Sequence, residues 1–160
     1  MSQAVSTPPA AIGYDEDLVL WADEQARLLR ERRLDQLDVT HLMAEVEGVS
    51  AAPRAAAEGC LVTLIVQLLA WKYQPGARSG SWHDAIDRQR TRIVRLIDRS
   101  PSLSLHPAAI FDQCYLQGRR RAAAETGIDR ALLPVSAPFT LAQAMDSGFL
   151  PTEPDLEAYN

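Results

Sequence analysis

The sequence predicts an all-α protein: an antiparallel bundle of about five helices around a central apolar helix, closed by an irregular C-terminal wrap. Three observations predict it. Apolar residues recur at steps of three and four along several segments. Leu61–Leu69 is apolar on nearly every side, as the innermost helix of a packed bundle is. No segment alternates polar and apolar residues over the length of a strand, and no internal repeat occurs.

Residues 1–13, with Pro8 and Pro9, have the composition of a flexible tail. The first helix is expected over about Asp15 to Arg33. Asp15, Glu16 and Asp17 suit the positive end of the helix dipole, and Arg30, Arg32 and Arg33 suit its negative end. Tyr14, Leu18, Trp21, Gln25 and Leu28 mark its inner stripe. Asp38 can cap a short second helix through Leu42 and Val46 that ends near Gly48. Ser50 can cap a third helix, with Pro53 in its first turn, running to about Tyr73. The stretch Gln74–Gly80 reads as a loop.

Ser81 is the expected cap of a fourth helix, which carries Trp82, Ile86, Gln89, Ile93 and Leu96 inward and ends near Asp98. Pro107 opens a fifth, which Gly127 ends, with Phe111, Tyr115, Gly118 and Ala122 on one face. The remaining chain has room for one short helix, Leu141 to Met145, capped by Thr140. A single helical domain over 14–154 is expected, followed by a tail over 155–160.

A chain of 160 residues with 47% apolar and 23% charged residues can bury a core without disulfides or a structural metal. Cys60 and Cys114 fall among apolar neighbours and read as buried free thiols. No Cys/His cluster has zinc-ligand spacing, and no cofactor is expected. The N-terminus carries no basic, apolar signal sequence, and the Cys60–Trp71 run is short for a bilayer. A cytoplasmic protein with no membrane partner is expected.

The net charge of −5 is unevenly spread. Residues 1–58 hold 5 basic and 11 acidic groups, whereas residues 59–130 hold 11 basic and 6 acidic. Such asymmetry fits mutual attraction of the two regions or a locally basic surface.

Several ordered signals carry a family resemblance. They are Tyr14, Asp17, Trp21 and Leu29-Arg30; Leu37-Asp38 with Leu42 and Glu45-Val46-Glu47; Leu68-Leu69-Ala70-Trp71-Lys72-Tyr73-Gln74-Pro75; Ser81-Trp82 leading to Gln89-Arg90; Pro101-Ser102-Leu103; and Glu125-Thr126-Gly127 with Pro138-Phe139-Thr140-Leu141. In order and spacing the chain resembles the bacterial domain-of-unknown-function family numbered twenty-nine, over about residues 14–154. That resemblance implies a small all-helical protein and no particular activity. The chain departs from the family pattern at Ala44, where the family has a glutamate. It departs again at Gln67, where a histidine is usual, and at Ala70, where a lysine is usual.

Candidate sites follow from residue type and spacing. His41 and Glu45 stand four apart, as do His83 and Asp87, so each pair can meet on its helix. Two such pairs facing across a bundle would offer a metal ligand set, although local ion pairs explain the same residues. Glu45 and Glu47 cannot share a face. An inward one would be a carboxylate with an ionic partner, Arg54 or Arg90, or a general acid or base. Arg88, Arg92 and Arg95, with Arg119, Arg120 and Arg121, could form a basic stripe for nucleic acid, which the acidic net charge disfavours. Trp21, Trp71 and Trp82 are expected in the core. With no nucleophile–base pair or phosphate loop in view, the expected role is a non-catalytic helical interaction module. Its partner would be another protein or further copies of itself.

Overall fold

The computed structural model describes residues 13–152, so apart from Gly13 the expected tails lie outside the described residues. Those residues form five α-helices joined by short 3-10 turns, with no strand among them. The all-α expectation holds. The chain divides into two compact units, Met1–Val49 and Ser50–Asn160.

In the first unit, α1 spans Leu18–Arg30. It starts later than its acidic run suggests, because the Asp17 carboxylate accepts from the backbone N–H groups of Val19 and Leu20 and caps it. A 3-10 turn at Leu34–Gln36 leads into α2, Val39–Tyr73. Asp38 accepts from the His41 backbone N–H at the start of α2, as its capping role predicts. Trp21, Gln25 and Leu28 are the buried stripe of α1, but Leu18, expected among them, is half-exposed.

The expected break between a second and a third helix is absent. α2 runs straight through Gly48, Ser50 and Pro53. Gly48 does not take the left-handed backbone that ends a helix; among the described glycines only Gly127 does. Pro53 deprives the Val49 carbonyl of its helical donor. Val49 is 76% exposed, so water can replace that donor and the helix continues. The boundary between the two compact units falls at this same point of low helix propensity.

The second unit is built on the apolar half of α2. Leu61, Leu64, Ile65, Leu68 and Leu69 are wholly buried there. By length and composition α2 can cross a membrane, yet 56% of its most apolar window is buried inside the protein. α3 (Gly80–Arg99) contributes Ile86 and Ile93 to this core, and α4 (His106–Thr126) contributes Cys114, Tyr115 and Ala122. α3 begins two residues earlier than expected: Ser79 stands before its first residue, and Ser79 and Ser81 hydrogen-bond each other at 2.8 Å. Trp71 and Trp82 are half-buried, so of the three tryptophans only Trp21 is fully interior.

α4 lies very close to α2 at Gly118. A β-carbon there would stand 2.6 Å from the Ile65 Cγ2 and 3.4 Å from the Val62 carbonyl oxygen. α4 ends where Gly127 takes φ 71°, and α5 (Leu141–Met145) starts with the full Thr140–Gln143 capping box.

Two buried arginines fasten the C-terminal wrap. Arg90 donates to the carbonyls of Ala144 (2.9 Å), Ser147 (3.4 Å) and Phe149 (2.6 Å), and to Asp87 at 3.0 Å. Arg119 donates to the carbonyls of Leu133 and Arg130, each at 2.9 Å. A planar guanidinium satisfies several carbonyls of irregular backbone at once, which strands and helices would otherwise satisfy themselves.

Candidate functional site

The first unit holds an aromatic and acidic cluster around His41. Asp38 Oδ2 lies 2.6 Å from His41 Nδ1 and also accepts from Trp21 Nε1 at 3.2 Å. The Asp38 backbone N–H donates to Gln25 Oε1 at 2.8 Å. The Tyr14 ring stacks on the His41 ring at 4.3 Å and meets Trp21 edge-on at 5.0 Å. Its hydroxyl donates to Glu45 Oε1 at 2.5 Å. The bond from His41 holds the Asp38 carboxyl below its ordinary range. The bond to Glu45 raises the Tyr14 phenol above its own.

His41 and Glu45 are therefore not each other's partners. His41 pairs with Asp38 and Glu45 with Tyr14, which ties the residues before α1 to the opening turns of α2. Asp38 thus orients the His41 ring through Nδ1. Nε2 has no hydrogen-bond partner among the described residues. His83 Nδ1 lies 3.4 Å from Asp87 as a half-exposed pair on one helix. Among the described residues no three His, Cys, Asp or Glu side chains gather as metal ligands would. Glu47 lines a surface groove on α2. Glu45 accepts from Tyr14, and Arg90 serves the C-terminal wrap.

The same unit carries a broad apolar surface. Of the large apolar side chains that are exposed, Leu18, Val19, Leu20, Leu29, Leu34, Val39, Met43, Val46 and Val49 all fall within it. On α2, Val39, Leu42, Val46 and Val49 follow the three-four spacing of a helix-packing seam, with Met43 beside them. Leu37, Val39, Leu42, Met43, Val46 and Glu47 line a groove of about 410 Å³.

The helical wheel shows where α1's exposed residues lie. Turning about α1 with increasing residue number, the buried stripe of Trp21, Gln25 and Leu28 is followed by Leu18, Leu29 and Ala22. Turning about α2 in the same sense, the edge of Asp38, His41 and Glu45 is followed by Val49, Leu42, Val46, Val39 and Met43. The pairings Tyr14–Glu45, Trp21–Asp38 and Gln25–Asp38 make the two segments antiparallel. Equal turns about antiparallel axes lead to the same side of a helical hairpin. The two stripes thus form one continuous two-helix face. Its sequence signal, the 39–42–46–49 spacing, was visible, but only structure reveals that Val39, Met43, Val46 and Val49 stay exposed.

The arginines separate in the second unit. Arg88, Arg92 and Arg95 line an exposed groove on α3 together with Asp84, Asp87 and Thr91. Arg120 and Arg121 line another with Glu58 and Gln117. Arg121 pairs with Glu125 at 2.5 Å. Arg119 is a correction to the expected stripe: it is 9% exposed and its guanidinium is committed to backbone carbonyls. Of the positions that depart from the family pattern, Ala44 is exposed on the first unit. Gln67 and Ala70 stand three apart in the buried half of α2, with the Gln67 side-chain oxygen buried and without a hydrogen-bond partner in the structure.

The family model described as Domain of unknown function DUF29 matches residues 13–150, nearly the whole chain. The chain belongs to the DUF29 family. The resemblance read from the order of its sequence signals is thereby established, and the match covers both the His41 cluster and the apolar face. No curated protein and no solved structure matches the chain. The DUF29 assignment carries a family but no activity, and any function rests on the surface itself.

Proposed function

We propose that this DUF29 protein is a non-catalytic helical interaction module, and that the α1–α2 face of its first unit is where it engages a protein partner. One observation carries the reading: a continuous apolar face across two antiparallel helices, with Val39, Met43, Val46 and Val49 all more than half exposed. A solvated helix face of a stand-alone protein is polar, and contiguous apolar surface of this kind marks association sites. The Tyr14–Glu45 and Trp21–Asp38 bonds hold the two helices in register, so the face is preorganised before a partner arrives.

The reading is tested by placing a photo-crosslinking amino acid at Met43 and, as a control, at exposed Val94 on α3, in cells of the native host. Protein adducts are expected from position 43 and not from position 94. Equal or absent labelling at both positions would refute it.

A further inference from the structure

We infer that the partner covering the α1–α2 face is a second copy of this chain, so that two hairpins close into a four-helix bundle; this rests on the interaction-module reading above. Shape is the first support. A two-helix layer with apolar residues along one side is half of a four-helix core, and what it lacks is another layer of the same width and length. α1 has 13 residues, and α2 from Val39 to Val49 is nearly as long, so the missing half matches the half that is present.

Area gives the second support. The exposed parts of Leu18, Val19, Leu29, Val39, Met43, Val46 and Val49, with Ala22, amount to on the order of 700 Å². That exceeds the roughly 300–600 Å² patch of a typical monomer and approaches the roughly 800 Å² per partner of a stable complex.

Charge is the third. The face is itself free of charged side chains: Glu47 lies at one rim, and Asp23 and Arg30 lie beyond the other. Although the first unit is acidic, a two-fold axis through this face sets uncharged residues against uncharged residues. The exposed part of the apolar stripe on α2 ends at Val49; beyond Pro53 the same stripe continues through Ala57, Cys60 and Leu64, which are buried within the second unit. A two-fold pairing buries the same patch on both copies and closes on itself, leaving no open surface for further growth.

Sedimentation velocity of the purified full chain, with Val46→Glu as the variant, tests the inference. The native chain is expected to sediment at twice its 17.6 kDa mass from micromolar concentrations upward. Val46→Glu sets an unpaired carboxylate into each half of the core and should weaken association by about a hundredfold or more, with helicity by circular dichroism unchanged. A native chain that stays monomeric at every concentration would overturn the inference, as would a dimer indifferent to Val46→Glu.

Should the glutamate variant unfold, a photo-crosslinker at Met43 in purified protein decides. Adducts between copies mapping to residues 18–29 or 39–49 support the dimer; their absence overturns it. The two readings fail separately. A purified monomer whose Met43 crosslinker captures a different protein in cells removes the dimer and keeps the module. No capture in either setting removes both.

Discussion

Arg90 offers the sharpest test of how this fold is held together. Its guanidinium is 4% exposed and reaches three carbonyls of the C-terminal wrap, those of Ala144, Ser147 and Phe149. Replacing it with methionine keeps the aliphatic stem and removes every donor. Two of the three carbonyl bonds are short, at 2.9 and 2.6 Å, and each is charge-assisted. At roughly 1.5–3 kcal/mol for a hydrogen bond to a charged group, and allowing for the desolvation of the arginine that methionine avoids, Arg90→Met should destabilise by about 3 kcal/mol. Arg90→Lys should recover little of this, because an ammonium cannot present the planar fork that spans separate carbonyls.

Urea denaturation measures the total. Native-state hydrogen exchange locates it, and faster exchange should concentrate in residues 141–150 while the Leu61–Leu69 amides keep the protection set by global unfolding. A loss below about 1 kcal/mol, or one spread evenly over the second unit, would refute the view that this side chain pins the wrap.

Three further outcomes are expected. Gly118→Ala places a methyl group 2.6 Å from the Ile65 Cγ2 and should cost about 1–3 kcal/mol in urea denaturation. Gly127→Ala meets no neighbour but must hold φ 71°, so it should cost about 1 kcal/mol from the backbone alone, read as a lowered thermal midpoint. Burial pushes the Cys114 thiol from 9.0 up to about 11, because the thiolate cannot be solvated there. A raised value in the folded state means stability that is complete below pH 9 and lost as pH climbs towards 11. Stability should therefore decline over that window, Cys114→Ala should flatten the decline, and the native thiol should resist aromatic disulfide reagents at pH 8.

The His41 cluster shows why spacing alone misassigns partners. His41 and Glu45 do stand on neighbouring turns, as their separation of four requires. Yet each finds a nearer and better oriented group, Asp38 at the helix start and Tyr14 from before α1. The second choice depends on how the chain returns between α1 and α2, which periodicity does not encode. The same holds for Arg119. Its neighbours in sequence are surface arginines, but an irregular segment folding back over α4 supplied the carbonyls that drew it inward.

The single α2 helix makes the converse point. Gly48 and Pro53 are genuine weak positions, and local propensity reads them as a boundary. A helix can cross such positions when the carbonyl left without its donor belongs to an exposed residue such as Val49, and when packing favours the helix, as the buried half of α2 does.

What the sequence determined by itself was local or cumulative: the helical class, the Asp38 and Thr140 caps, the Gly127 stop, the buried cysteines, and the apolar run that became the core. These follow from backbone preference and hydrophobic periodicity, which act within a few residues. What only the tertiary structure decided was which apolar residues stay uncovered and which polar groups meet. Leu18, Val39, Met43 and Val46 carry the same pattern as core residues. They differ in that, among the described residues, they stay exposed, and that is a property of how the helices are arranged in space.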